Sequence, residues 1–562
     1  MGMDRRTFLG ATALGAGVAI TATTQSGAKS SRSGGVSAKA LRDVERYMEQ
    51  HLADWGLVGM TLCVVDREGG AGRIGVGHAD RAAGLKVAPD QLFQVGSITK
   101  MMTALAAWTL VDEGKLDPEA TLAELMPEIM VRGGAADKIT LRHLLNHTSG
   151  LPRSPSPFFE GGLWTNAEPG AQWAYSNLAY KLAGLIVSRT DGRNFPEAVE
   201  GRVLTPLGME NSSGAVRRED RSRHARGYQP RLDRPTARPA EVELAPWVDY
   251  DWGSGCVSAT TYDMEKFLSF LLRLAEGDGA PILSPGAAAR FLADPADAPA
   301  WAEGARYGNG IARVKLGGRD YLHHTGGVVS FSSSLHVDPQ AGVAAFASTN
   351  MHYARSYRPR DVTLYACEVM RAAAASEAPP APKPTAATVK DAKKYAGVFT
   401  AAGGAVIELH ADGDLLRLRI DERESELQPA GENAFAGDDP AIEVMGLDVE
   451  FEAEKPTRVW IGETEYLADP GADYTPVDAS LAALSGLYQN DGGWDLPARV
   501  YVRGKRLRVK RAGFFVDLHL SPDGGWRGED DTAPAATRFD GLVDGKMRRM
   551  VIAETIYERR FS

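Results

Sequence analysis

Phe93-Gln94-Val95-Gly96-Ser97-Ile98-Thr99-Lys100 runs from an apolar, strand-like segment into a helical pattern carried by Met101, Leu105, Trp108 and Val111, which puts Ser97 in the first turn of a helix. A residue three positions on shares its face, so Lys100 can set its amine beside the Ser97 hydroxyl. The helix N-terminus favours the negative charge that develops there. A lysine packed against apolar neighbours gives up its proton more easily, and the neutral amine can then take the serine proton; an activated serine therefore needs Lys at this spacing. By itself Ser-x-x-Lys is common, since a chain of this length holds about two by chance at ordinary residue frequencies. The second copy, Ser26 to Lys29, opens no amphipathic helix, whereas Ser97 is expected to open one.

Two further signals follow in order. Tyr175-Ser176-Asn177 precedes the apolar helix pattern Leu178 to Val187, and offers a phenol to relay the serine proton and an amide to hold a substrate carbonyl. The plainer reading of Tyr175 is a half-buried aromatic at a helix start. Tyr-x-Asn recurs at Tyr307 to Asn309, read as a loop before a strand, and at Tyr488 to Asn490, read as the start of a barrel. His324-Thr325-Gly326-Gly327 lies just ahead of the strand pattern Phe331 to Val337. Its small residues let a substrate backbone approach, and the Gly327 amide together with that of Ser97 would form an oxyanion hole, worth about 3–4 kcal/mol per donor. The plainer reading of His324 is a buried histidine with local partners. The order and combination of the three carry more than any one alone.

Outward from these motifs, helices and short strands alternate from about residue 40 to 372, with a strand pair at Leu335 to Val337 and Val343 to Ser348 around the turn from Asp338 to Gly342, as in a single large α+β domain. Residues 373–390 turn to Ala, Thr and Pro and form an extended linker. Beyond it a unit repeats at an offset of about 90 residues. Tyr395-Ala396-Gly397-Val398-Phe399 returns as Leu484-Ser485-Gly486-Leu487-Tyr488, and Leu416-Arg417-Leu418 as Leu507-Arg508-Val509. Alternation such as Leu416, Leu418, Ile420 against Arg417, Arg419 marks half-buried strands, so 391–470 and 478–562 are each expected to form a small antiparallel barrel.

At the N-terminus, Arg5-Arg6-Thr7-Phe8-Leu9 and the short apolar run Ala11 to Ala22 read as a twin-arginine-type export signal over 1–28, too short to span a bilayer as a mature helix. The expected destination is periplasmic or secreted, with no stable membrane anchor after cleavage. The 562 residues carry 63 Lys and Arg against 73 Asp and Glu, a net charge of −10, which argues against a nucleic-acid partner. Cys63, Cys256 and Cys367 are too few and too far apart for a disulfide framework or a structural zinc site. No His-Glu-x-x-His is present, and His323 and His324 have no carboxylate at ligand spacing, so neither metal nor cofactor is expected.

With Ser97 to Lys100, Tyr175 to Asn177 and His324 to Gly326 in this order, and with Leu144-Leu145-Asn146-His147-Thr148-Ser149-Gly150-Leu151 and Pro206-Leu207-Gly208-Met209 beside them, the sequence resembles the serine β-lactamase and penicillin-binding-protein superfamily. The likeness is to its class C-like branch of esterases and peptidases and covers about Leu41 to Ala372. It implies an antiparallel sheet flanked by helices, with a helical subdomain holding the Tyr motif. It also implies Ser97 as nucleophile, Lys100 and Tyr175 as the general-base pair, and Asn177, His324, Gly326 and Gly327 as substrate and oxyanion contacts. Lactamases and transpeptidases usually carry Lys-Thr-Gly where this chain has His-Thr-Gly, so an ammonium that would grip a substrate carboxylate is missing. His-x-Gly followed by two lipocalin-like barrels is similar in architecture to bacterial D-aminopeptidases. In that family a loop of the last barrel reaches the site, and a loop near Asp523 or Asp530 would do so here. The substrate implied is a small peptide, amide or ester; a carboxylesterase, weak β-lactamase or DD-peptidase, or a non-catalytic wall- or partner-binding protein, are the alternatives. The sequence leaves the oligomeric state open.

Overall fold

The computed structural model describes residues 36–562 apart from 160, 231–241, 352–356, 386–387, 443–444, 477, 491–496, 512–513, 523, 529–535, 553–554 and 561–562. The export signal therefore lies outside the described residues, as do Asp523 and Asp530.

A nine-stranded antiparallel sheet organises the first unit. Its strands are β1 (Gly59–Asp66), β2 (Ala71–Asp80), β3 (Leu85–Lys86), β4 (Ala296–Asp297), β5 (Arg306–Gly308), β6 (Ile311–Leu316), β7 (Arg319–Val328), β8 (Phe331–Asp338) and β9 (Val343–Thr349), in the order β3-β2-β1-β9-β8-β7-β6-β5-β4. The chain leaves the sheet after β3 and returns at β4. Between them it forms α2 (Thr99–Asp112), α3 (Asn177–Asp191) and α4 (Thr261–Ala275), while α1 (Ala38–Trp55) precedes the sheet and α5 (Arg360–Ala374) follows it.

The central strands are apolar on both faces because both are covered. Along β1, Cys63 and Val65 join the core shared with α2 and α4, whereas Met60, Leu62 and Val64 join the core shared with α1 and α5. Along β9 the two sets are Ala344 and Phe346 against Ala345 and Ala347, the two-residue period of a strand. Phe346 is fully buried, and Phe346→Ala would cost roughly 3–5 kcal/mol. All three cysteines are buried and unpaired.

One expectation fails here. The helix after Ser97 is not amphipathic, for every residue from Thr99 to Val111 is buried. It runs through the middle of the unit with sheet on one side and helices on the other, so it has no solvent face to make polar.

The C-terminal repeat forms two antiparallel units. In the first, β10 (Gly397–Ala401), β11 (Val406–Asp412), β12 (Leu415–Ile420), β13 (Arg423–Gly431), β14 (Ala434–Ala436), β15 (Leu447–Glu452), β16 (Lys455–Ile461) and β17 (Thr464–Leu467) form a closed barrel, with β17 pairing back onto β10. Ile407, Leu409, Leu416 and Leu418 fill its interior, and Arg419 reaches Glu408 on the outer surface. In the second, β18 (Gly486–Gln489), β19 (Ala498–Arg503), β20 (Arg506–Arg511), β21 (Phe514–Leu520), β22 (Trp526–Arg527), β23 (Arg538–Val543), β24 (Lys546–Ile552) and β25 (Thr555–Arg559) run in the order β22-β21-β20-β19-β18-β25-β24-β23. Among the described residues its two edges meet only where Trp526 and Thr537 exchange backbone hydrogen bonds of 2.9 Å. With just two residues, β22 is too short for a longer ladder, so this barrel is nearly closed.

Candidate active site

The turn that carries Ser97 is gripped on both sides. Phe93–Gln94 pairs with Ser258–Ala259, and the Val95 amide donates to the Val257 carbonyl at 3.0 Å. Gly96 then bends at φ +56, and a Cβ there would lie 2.6 Å from the Gly327 nitrogen. On the facing strand a Cβ on Gly326 would lie 2.0 Å from the Val95 carbonyl oxygen. Two glycines thus allow backbone to touch backbone. Ser333 of β8 adds a hydrogen bond from its hydroxyl to the Val95 carbonyl, 2.7 Å. Since β6 pairs with β7 only as far as His323, the edge of β7 from His324 onward has no strand partner on that side among the described residues, and the Ser97 turn packs there. Gly326 and Gly327 are therefore brought against Val95 and Gly96, next to Ser97.

Lys100 is fully buried. Its Nζ lies 3.1 Å from Ser97 Oγ, 2.9 Å from Asn177 Oδ1 and 2.6 Å from the Ser254 carbonyl oxygen. Burial drives its pKa well below the ordinary lysine range, and the cations Arg153 and Lys181 push it further down. Two acceptors for N–H and a serine oxygen at the third position suit a neutral amine that donates to Asn177 and Ser254 and receives the Ser97 proton.

Ser176 caps α3, its hydroxyl accepting from the Ala179 amide at 3.0 Å. The cap places Asn177 at the first helical position facing Lys100, with Tyr175 just outside. Lys100 Nζ is 4.9 Å from the centre of the Tyr175 ring. Behind that ring stand His147 at 4.4 Å and Trp301 at 6.3 Å between centroids. The Asn177 amide nitrogen donates to Ser154 Oγ at 3.3 Å.

His324 is brought near but not onto the wall of the site. It is fully buried, its Nδ1 donates to the Thr325 carbonyl at 2.7 Å, and its Nε2 receives the Tyr307 hydroxyl at 2.9 Å. Burial keeps the ring neutral. Both nitrogens are occupied, so His324 supports the aromatic cluster instead of presenting a polar group to substrate.

Several residues at the site carried no sequence signal that picked them out. Tyr307, in a stretch whose sequence suggests a loop, lies in β5, and Asn309, beyond it, accepts from Trp108 at 3.0 Å. His147 belongs to a motif without an assigned role; its Nδ1 accepts the Ser176 amide at 3.2 Å, tying that motif to the Tyr175 turn. Arg153 and the Ser254 carbonyl have no sequence mark at all, because distant segments bring them in.

Residues 44–370 match the family model described as Beta-lactamase, more than half of the chain, and the chain belongs to that family. Its fold is that of the serine hydrolases of the beta-lactamase type, followed by the two barrels. It is 25% identical over 348 residues to the Unguisins hydrolase ungD' of Aspergillus campestris, covering 56% of this chain and 62% of that protein. Over 217 residues it is 29% identical to Penicillin-binding protein 4* of Bacillus subtilis, 34% of this chain and 47% of that one. Over 197 residues it is 32% identical to Esterase EstB of Burkholderia gladioli, 30% and 50%. The chain thus spans between 47% and 62% of these curated relatives. Among solved structures, the octameric penicillin-binding protein homologue from Pyrococcus abyssi matches with a TM-score of 0.54 at 21% identity, over 76% of this chain and 99% of that chain, a likeness of fold.

Proposed function

We propose that this chain is an exported serine hydrolase that works through an acyl-enzyme on peptide or amide bonds, of the D-aminopeptidase kind or a peptidase of unusual peptides. The observation that carries the proposal is the fully buried Lys100 amine 3.1 Å from Ser97 Oγ. Lys100 takes the Ser97 proton as Oγ bonds to the substrate carbonyl carbon. The oxyanion that forms is held by the amides of Ser97 and Gly327, and Asn177 orients the substrate. Tyr175 relays the proton to the leaving nitrogen, the C–N bond breaks, and water releases the acyl group by the reverse path. Lys100 and Tyr175 handle every proton that the cycle needs. Similarity to a protein named an unguisins hydrolase supports peptide substrates, and similarity to EstB supports a second reading as a carboxylesterase. The export element rests on Arg5-Arg6-Thr7-Phe8-Leu9.

The test compares the purified chain with Ser97→Ala on a D-alanine anilide, its L-enantiomer, a short-chain nitrophenyl ester and a chromogenic cephalosporin. Stereoselective anilide cleavage that vanishes in Ser97→Ala is the expected result. Ester turnover alone would favour the esterase, and failure of Ser97 to react with a serine-directed phosphonate would overturn the enzyme reading.

A further inference from the structure

We infer that Arg153 is the receptor for a carboxylate on the leaving-group side of the substrate, so that the chain prefers short substrates whose departing group bears an acid. The inference rests on the acyl-enzyme reading, in which Tyr175 hands a proton to the leaving group.

The position of Arg153 is fixed by its backbone. Its carbonyl accepts the amides of Asn177 at 2.7 Å and Leu178 at 3.2 Å, so the residue is bonded to the start of α3 beside Tyr175 and Asn177. Its exposed side chain lies with Cζ 5.3 Å from the centre of the Tyr175 ring, the ring that Lys100 approaches at 4.9 Å. A guanidinium resting on an aromatic face is partly desolvated, yet its N–H edge stays open to solvent and to a ligand.

Among the described residues no carboxylate lies within ion-pair distance of Arg153, whereas Arg189 meets Glu128, Arg202 meets Asp191 and Arg319 meets Asp338. Lys181, the other cation acting on Lys100, lies over the Trp252 ring at 5.5 Å. No carboxylate figures among the influences on Lys100; the acid of this neighbourhood, Asp251, acts on Tyr250 and Cys256 instead. From the β7 side the histidine of His-Thr-Gly is neutral and has both nitrogens occupied. The mouth of the site is thus positive, and among the described residues the cation free to engage an anion with two parallel N–H bonds is Arg153. A substrate ammonium would find repulsion at the same place.

The experiment uses the full chain and two esters with one acetyl group. One is 5-acetyloxy-2-nitrobenzoate, whose leaving phenol carries a carboxylate; the other is its methyl ester. Rates are normalised to hydroxide hydrolysis. The expected result is a kcat/KM ratio of roughly tenfold in favour of the acid, mostly in KM. Arg153→Gln should bring the ratio to about one and Arg153→Lys should keep part of it. A ratio near one in the unmodified chain, with turnover still dependent on Ser97, would overturn the inference and leave the hydrolase reading standing. An equal fall on both esters in Arg153→Gln, with a shifted pH profile, would also overturn it, because Arg153 would then serve Tyr175 or Lys100 and not the substrate. Absence of Ser97-dependent turnover on either ester would remove both together.

Discussion

The surroundings of Ser97 and the seam of the barrel pair treat buried charge in opposite ways. Around Ser97 and along β7 and β8, burial leaves titratable groups neutral. Lys100, His147, His324 and His336 are all pushed well below their ordinary pKa, and His323 to about 3, each chiefly by desolvation. Where the barrels meet, buried charges are kept and paired. Arg503, 3% exposed, and Arg508 both bind Asp448, at 2.8 and 2.6 Å, across the two barrels. Arg508 continues to Asp517 at 2.8 Å, and Arg506 reaches Glu450. Lys510 departs from this pattern, pushed down to about 7 by burial although Asp448 opposes the shift. The comparison shows that a reactive amine requires more than a lysine at the right spacing. It also requires that no carboxylate come near, since a partner would fix the ammonium as Asp448 fixes its arginines.

The largest effect should come from removing the neutral amine. Lys100→Met should lower kcat/KM by about 10²–10⁴. Its melting temperature should stay level or rise, because an amine that burial penalises is replaced by an apolar chain of similar length; a large fall would show that Lys100 is chiefly structural. In the barrels the same logic runs the other way. Asp448→Asn strands the buried Arg503 guanidinium and leaves Arg508 only Asp517, and should cost about 3–5 kcal/mol of C-terminal stability, read by hydrogen exchange in β15, β19 and β20, while Ser97 keeps its reactivity toward a phosphonate probe.

The two regimes can also be exchanged at one atom. Asn177→Asp would put a carboxylate where Oδ1 now lies 2.9 Å from Lys100 Nζ, raising the lysine pKa and holding it as an ammonium. Because the proposed base must be neutral, the acidic limb of the pH–rate profile should move up by about one to three units; a limb that stays in place would disprove Lys100 as the titrating base.

Smallest per group is the effect of acid on stability. The unfolded chain takes up a proton at His323 below about pH 6.5, whereas the folded ring resists to about 3. Stability from that residue is complete above 6.5 and falls with pH by about 1.4 kcal/mol per unit. Glu450 has the same ordering in a lower pH window. Burial works against its charge, but Arg506 and Arg458 hold its carboxyl below the usual range, so its contribution persists until the pH drops below the ordinary glutamate value. Denaturation followed at pH 7.5, 6 and 5 should show β7 and β8 losing protection before the barrels.

What was legible in the sequence was local. Ser97 and Lys100 are joined by helix periodicity, and Tyr175 and Asn177 by one N-cap, so their spacing already implied their meeting. The barrel repeat was legible because alternation is written into each strand, while the difference in closure was not, since it turns on the two residues of β22. The expected amphipathic pattern failed for α2 because burial on all sides is a property of its neighbours. His324 was visible as a motif, but its occupied nitrogens depend on Tyr307 and Thr325, and nothing in its own stretch announces the first of these.

The chain by itself determined which groups stand three residues apart on one helix, which glycines permit close backbone and which strands repeat, because propensity and periodicity are set over a few residues. Only the tertiary structure decided that Lys100 would be dry, that Ser254 and Asn177 would meet it, and that Arg153 would stand over the Tyr175 ring with no carboxylate partner among the described residues. Desolvation and unpaired charge are sums over everything within several ångströms, and those neighbours are supplied by segments far apart in sequence.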